Sequence, residues 1–152
     1  YEISNLTITM TPSASTSKFM INLNLQAGHA DSYVGQGWLT YQVSGGTEYG
    51  ITSNATKGIT FRSDGADFVA GNVGTSASQS CCVIASPNTT SAVTFRVRVA
   101  TTNSGRPWYI NRTTDNNTDV DDGGYMLSTM TVSELAGANS TVASTNTNFI
   151  KT

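Results

Sequence analysis

The sequence predicts an all-β chain, folded as an antiparallel β-sandwich or barrel. Three observations carry that reading. Apolar residues recur at every second position in one segment after another, the period of a strand with one buried face. Turn-forming residues separate these segments at short intervals. No window of helical length places apolar residues at i, i+3, i+4 and i+7.

Leu6, Ile8 and Met10 alternate with Thr7 and Thr9, and Thr11-Pro12-Ser13-Ala14-Ser15 makes a turn. Phe19, Ile21, Leu23 and Leu25 share one face of the next segment, with Asn22 and Asn24 on the other. Leu39, Tyr41 and Val43 repeat the pattern, and Gly45-Gly46 supplies a tight hairpin turn before Tyr49 and Ile51. Ile59 and Phe61 follow, closed by Asp64-Gly65. The Gly/Ser/Ala-rich stretch 70–80 reads as a long surface loop, and 82–85 as a short apolar strand ended by Pro87-Asn88.

Val93, Phe95, Val97 and Val99 alternate with Thr94, Arg96 and Arg98, the cleanest strand of the chain. The two sets must point to opposite faces. Asn103-Ser104-Gly105 turns the chain, and 107–111 returns with Trp108 and Ile110 on one side. Residues 113–124 are polar and read as a loop, 125–135 as the last strand, and 138–152 as a loosely held polar tail. The sandwich then spans 3–137 as one domain, with a core of Phe19, Leu23, Tyr41, Phe95, Val97 and Trp108. The opening at Tyr1 reads as strand already, so the sequence is expected to be a mature fragment or a domain of a longer polypeptide.

The chain has 152 residues, long enough to bury a core. Charged residues make up only 12%, about half the usual share, and Ser, Thr, Asn and Gly take their place. Disorder driven by charge is therefore not expected. The net charge of −2 and the lack of a Lys/Arg stripe argue against nucleic acid as a partner. No apolar run reaches the ~20 residues of a membrane-spanning helix, so no membrane insertion is expected.

No constellation points to catalysis. His29 is the only histidine and falls in a Gly-containing segment expected to be a loop, 26–36. Such a residue is better suited to surface contact than to a Ser-His-Asp arrangement. Cys81 and Cys82 are adjacent; they would point to opposite faces of a strand, and a disulfide between neighbours is strained. One His and two Cys are too few for a Cys/His metal cluster. The carboxylates are dispersed among turns, and no pair has the look of a glycosidase centre.

The loop 115–124 is rich in oxygen ligands, but Val120 stands where one register of a calcium loop needs Gly, and Met130 where the other needs a bidentate Glu. No metal and no cofactor are expected. Asn-Xaa-Ser/Thr triplets begin at Asn5, Asn54, Asn88, Asn111, Asn116 and Asn139, and arise readily at this Thr content. Of the aromatic residues, Tyr33 stands out because it shares a polar loop with His29 and Asp31.

The second half carries a family resemblance. Ser86-Pro87-Asn88-Thr89-Thr90-Ser91 leading into Ala92-Val93-Thr94-Phe95-Arg96-Val97 resembles a loop-to-strand segment of tail-fibre-like proteins of tailed bacteriophages. Trp108-Tyr109-Ile110-Asn111-Arg112 and Leu127-Ser128-Thr129-Met130-Thr131-Val132-Ser133-Glu134-Leu135-Ala136-Gly137 continue the likeness, and 6–13 and 17–21 resemble the opening hairpin. Cys81-Cys82 and the tail 138–152 depart from the pattern.

The resemblance implies a jelly-roll head domain that assembles as a homotrimer with other virion proteins on the virion surface, an extracellular particle. Its expected role is host attachment through a glycan or surface protein. A capsid decoration protein and a lectin-like carbohydrate-binding module are the alternatives. The contact residues expected from the loops are His29, Asp31 and Tyr33, together with Asp115, Asp119 and Asp121.

Overall fold

The computed structural model describes residues 1–29, 35–51, 61–63, 77–101, 108–111 and 127–135. Within them lie nine strands and no helix: β1 (Glu2–Met10), β2 (Lys18–His29), β3 (Gly35–Val43), β4 (Glu48–Gly50), β5 (Phe61–Ser63), β6 (Ala77–Ala85), β7 (Val93–Thr101), β8 (Trp108–Ile110) and β9 (Thr129–Leu135). They form two sheets. One runs β1-β7-β3-β4 with β5 also on β3; the other runs β6-β2-β8 with β9 also on β2. All pairings are antiparallel.

The fold is an all-β antiparallel sandwich. Between consecutive described strands the chain changes sheet from β1 to β2, β2 to β3, β5 to β6, β6 to β7 and β7 to β8, an alternation shared with jelly rolls.

The alternation in β2 and β7 builds the core. Phe19, Ile21, Leu23, Leu25 and Ala27 of β2 are buried, as are Val93, Phe95, Val97 and Val99 of β7. Leu39 of β3, Leu6 of β1 and Ala85 of β6 complete the core. Burial of a side chain of this size contributes about 1.5–3 kcal/mol. The expected core members Phe19, Leu23, Phe95 and Val97 are therefore central, whereas Tyr41 and Trp108 are only partly buried against it. The Trp108 indole explains its position: its N–H donates to the Ala100 carbonyl of the facing sheet at 3.1 Å, so the ring sits where its polar edge has a partner.

Several boundaries differ from expectation. Residues 77–80 are the first part of β6, not loop; small Ser and Ala residues carry little strand signal, yet the pairing with β2 is unbroken from Ala27↔Ala77 to Phe19↔Ala85. Of the loop expected at 26–36, residues 26–29 belong to β2 and 35–36 to β3, and the rest lies outside the described residues. The last strand starts at Thr129, while Leu127 and Ser128 precede it as irregular chain.

In addition, β1 carries an irregularity: Glu2 pairs with Arg98 and Thr7 with Arg96, so the register shifts between them. The shift puts Glu2 and Thr7 on the same face, and the Thr7 hydroxyl donates to Glu2 Oε1 at 2.9 Å. The β3–β4 turn is as expected. Gly46 N donates to the Val43 carbonyl at 2.8 Å, and Gly45 takes the positive φ of 73° that its place in the turn requires.

Candidate binding face

The strand positions that point away from the core form two outer faces with opposite chemistry. On the β1-β7-β3-β4 sheet the outer face is charged. Arg98 Nε donates to Glu48 Oε1 at 2.8 Å and its Nη2 to Glu48 Oε2 at 2.7 Å, a two-pronged pair that reaches over β3. Arg98 Nη1 also lies 3.2 Å from Glu2 Oε2, so one guanidinium ties β1 to β4. The buried Thr40 hydroxyl donates to Glu48 Oε1 at 2.5 Å. The hydrogen bond from Arg98, helped by Thr40, holds the Glu48 carboxyl below its ordinary pKa against the opposing effect of burial. Arg96 is less well served: its Nε is 3.6 Å from Glu2 Oε2, and its buried Nη1 has no hydrogen-bond acceptor. The two arginines and two glutamates answer one another, which marks this face as a structural brace.

The outer face of the other sheet is nearly uncharged. Its centre is the row Gln26, Asn24, Asn22 and Met20 on β2. The register flanks this row with Ser78, Ser80, Cys82 and Ile84 of β6, and with Thr129, Thr131 and Ser133 of β9. Lys18 stands at the far end. Beyond Gln26, Tyr109 lies opposite Gly28, where there is no side chain on β2 to compete for space.

One end of this row is closed on itself. Gln26 Nε2 donates to Asn24 Oδ1 at 3.1 Å and to Ser78 Oγ at 2.9 Å, and the Ser78 hydroxyl donates to Asn24 Oδ1 at 3.0 Å. The other end is open. Asn22, Thr129 and Thr131 line a shallow cleft of about 380 Å³ with Asn24, Ser80 and Cys82. Rigid pairing on both sides of β2 holds these amides and hydroxyls in fixed positions, which is the arrangement a neutral, hydroxyl-rich ligand needs.

A junction beside the face joins β8 to β9 along β2. β9 pairs with β2 as far as Asn24, and β8 takes over at Ala27. Ser128 and Asn111 fill the gap between them. The Gln26 amide donates to the Ser128 hydroxyl at 2.9 Å, that hydroxyl donates to Asn111 Oδ1 at 2.5 Å, and the Asn111 amide donates to the Gln26 carbonyl at 2.9 Å.

Of the residues expected to make contacts, His29 lies within β2 opposite Trp108 and not in a loop; the extended pairing with β8 is the reason. Asp31, Tyr33, Asp115, Asp119 and Asp121 lie outside the described residues, as do the loop 113–124 and the tail 138–152. The face itself was half visible in the sequence, as the polar alternates Asn22 and Asn24. Its β6 flank is hidden in the sequence because the small residues Ser78 and Ser80 carry no strand periodicity of their own.

Cys81 points toward the core margin, where burial and then the neighbouring Cys82 push its thiol pKa up; Cys82 is exposed on the outer face. Among the described residues no group of three or more His, Cys, Asp or Glu is placed to hold a metal ion, and no helix is long and apolar enough to cross a membrane. No protein-family model matches the chain, and neither the curated proteins nor the solved structures hold a significant match to it.

Proposed function

We propose that this chain is a virion-surface module of a tailed bacteriophage, of the tail-fibre head type, which binds a host surface glycan and performs no catalysis. The sequence resemblance supplies the virion setting and, with it, assembly as a homotrimer among other virion proteins. The observation that carries the binding role is the open, uncharged cleft around Asn22. Sugar hydroxyls exchange hydrogen bonds with amides and hydroxyls, and a face without fixed charges avoids the large cost of desolvating them. Tyr109, farther along the same face, offers an aromatic ring of the kind on which a sugar stacks.

The test is adsorption. Purified chain is expected to bind host cells or an array of bacterial surface polysaccharides. Asn22→Ala and Thr131→Ala are each expected to weaken that binding by about fivefold, the equivalent of one ordinary hydrogen bond. Folded protein that binds no polysaccharide and does not compete with virions for host cells removes the attachment reading. Labelled chain found on the capsid lattice, with none at the tail, replaces it with the decoration role.

A further inference from the structure

Sheet edges are hazardous because they present unpaired backbone N–H and C=O groups to any passing strand, and proteins blunt them with short length, charge, proline or bulges. Among the described residues each edge strand but one is blunted. β1 carries Glu2 and a register shift. β4, β5 and β8 have three residues each. β9 carries Glu134.

The exception is β6, with sequence Ala-Ser-Gln-Ser-Cys-Cys-Val-Ile-Ala. It is nine residues long, regular in its pairing with β2, and free of charge and proline. Among the described residues no strand pairs with its other edge; β5, which belongs to the other sheet, lies near β6 without pairing with it.

We infer that the free edge of β6 pairs antiparallel with β6 of a second copy of this chain, about a two-fold axis at Cys82. The residue on such an axis meets its own copy and its neighbours meet residues close to themselves in sequence, so charges of one sign there would repel; β6 has none. The register follows from the half-buried inner row. Centred on Cys82, the pairing sets Cys81 against Val83 of the partner subunit and Ser80 against Ile84 of the partner subunit. Cys81 and Val83, which lie partly exposed at the margin of the core, then complete one another's burial. Centred one residue earlier, Val83 would instead meet Gln79 of the partner subunit.

The chosen register also brings the two exposed Cys82 residues directly opposite one another. Directly opposed antiparallel residues have Cα atoms ~4.5–5.5 Å apart, inside the range a disulfide spans. This contact is separate from any three-fold axis. It produces a dimer from single chains, or joins two trimers.

Sedimentation equilibrium on the intact chain, with cross-linking by oxidised glutathione, tests this. In that reaction two Cys82 thiols and one oxidised glutathione yield one inter-chain disulfide and two reduced glutathiones. The expected result is even-numbered assembly, with a cross-link that survives Cys81→Ser and disappears in Cys82→Ser. Cys82→Ser is expected to keep the non-covalent assembly, whereas Cys82→Lys, with like charges opposed at the axis, lowers the association constant by about fivefold or more.

Circular dichroism confirms that each variant is folded. Chains that stay single at millimolar concentration overturn the inference. So does assembly into threes alone, or association indifferent to Cys82→Lys. None of these outcomes touches the glycan reading, which adsorption tests by itself.

Discussion

Phe19 of β2 and Phe95 of β7 meet across the two sheets with ring centroids 5.1 Å apart and planes tilted by 54°. Both are fully buried. Each lies in a strand whose alternate residues face the core, so this single contact ties the longest strand of one sheet to an interior strand of the other. Phe95→Ala is expected to destabilise the fold by about 3–5 kcal/mol, and Phe19→Ala by a similar amount. The tilted ring pair adds its own term. A double-mutant cycle on denaturant unfolding should return a coupling of about 0.5–1.5 kcal/mol; a coupling near zero would show that the rings act only as separate apolar volumes.

The Arg98–Glu48 pair makes a prediction about pH. Hydrogen bonding from Arg98 lowers the Glu48 pKa in the folded state. A carboxyl with a depressed folded pKa contributes stability that is fully present above its unfolded value, about 4.3, and that is lost as pH falls through the folded value. Arg98 is shifted upward, at a pH too high to matter here. Unfolding by urea should therefore show stability falling below about pH 4, with Glu48→Gln removing part of that slope. At neutral pH the substitution should cost about 1 kcal/mol, since the pair is partly exposed.

Arg96 provides the contrast. Its buried Nη1 already lacks an acceptor, so Arg96→Met should cost less than Arg98→Met and can even stabilise. Equal and large losses for both would show that Arg96 is satisfied in solution in a way its geometry does not reveal.

The contrast between faces also shows which features are legible in a sequence. The two strands that dominate the core, β2 and β7, announce themselves through Phe19-Xaa-Ile21-Xaa-Leu23 and Val93-Xaa-Phe95-Xaa-Val97, because burial on one side only demands a period of two. The start of β6 does not, because an edge strand of Ser, Gln and Ala needs no large apolar residue and is held by its partner's backbone. Parity fails at β1, where the register shift places Glu2 and Thr7, five positions apart, on the same face. The pairing of Glu48 with Arg98 joins residues 50 positions apart, a distance no local pattern reports. The binding face suffers from the same limit. Asn22 and Asn24 are readable as polar alternates, but Thr129, Thr131 and Ser80 join them only through strand order.

Glu134 makes a prediction about local order. It accepts from the Ser13 amide and the Ser13 hydroxyl, both at 2.7 Å, and so fastens the β1–β2 connection to β9. Hydrogen bonds from the hydroxyls of Ser17 and Ser13 and from the Ser13 amide lower its pKa, so this fastening also persists at neutral pH and loosens under acid. Hydrogen exchange at the Ser13 amide should accelerate in Glu134→Ala at neutral pH, and in the unaltered chain as pH falls after correction for intrinsic exchange. Exchange at Val97, deep in β7, should change far less, because local opening does not require global unfolding. Uniform acceleration across both sites would mean that Glu134 holds the whole sandwich and not one connection.

Asn111 closes β8 with a φ of 62°, in the left-handed region that Asn tolerates better than most residues other than glycine. Its side chain performs a second task there. Oδ1 accepts from the Ser128 amide at 2.7 Å and from the Ser128 hydroxyl at 2.5 Å, joining the end of β8 to the start of β9 where neither strand covers β2. The two tasks can be separated by substitution. Asn111→Gly keeps the backbone freedom and loses the acceptor, and should cost about 1–3 kcal/mol through the partners left unpaired. Asn111→Ala loses both and should cost a further ~1 kcal/mol for the left-handed backbone. Asn111→Asp keeps an acceptor at the same place and should be the mildest of the three. Thermal unfolding followed by circular dichroism ranks them. If Ala and Gly prove equal, the backbone conformation carries no cost at this site; if Asp is as damaging as Ala, the bridge to Ser128 is not what holds the junction together.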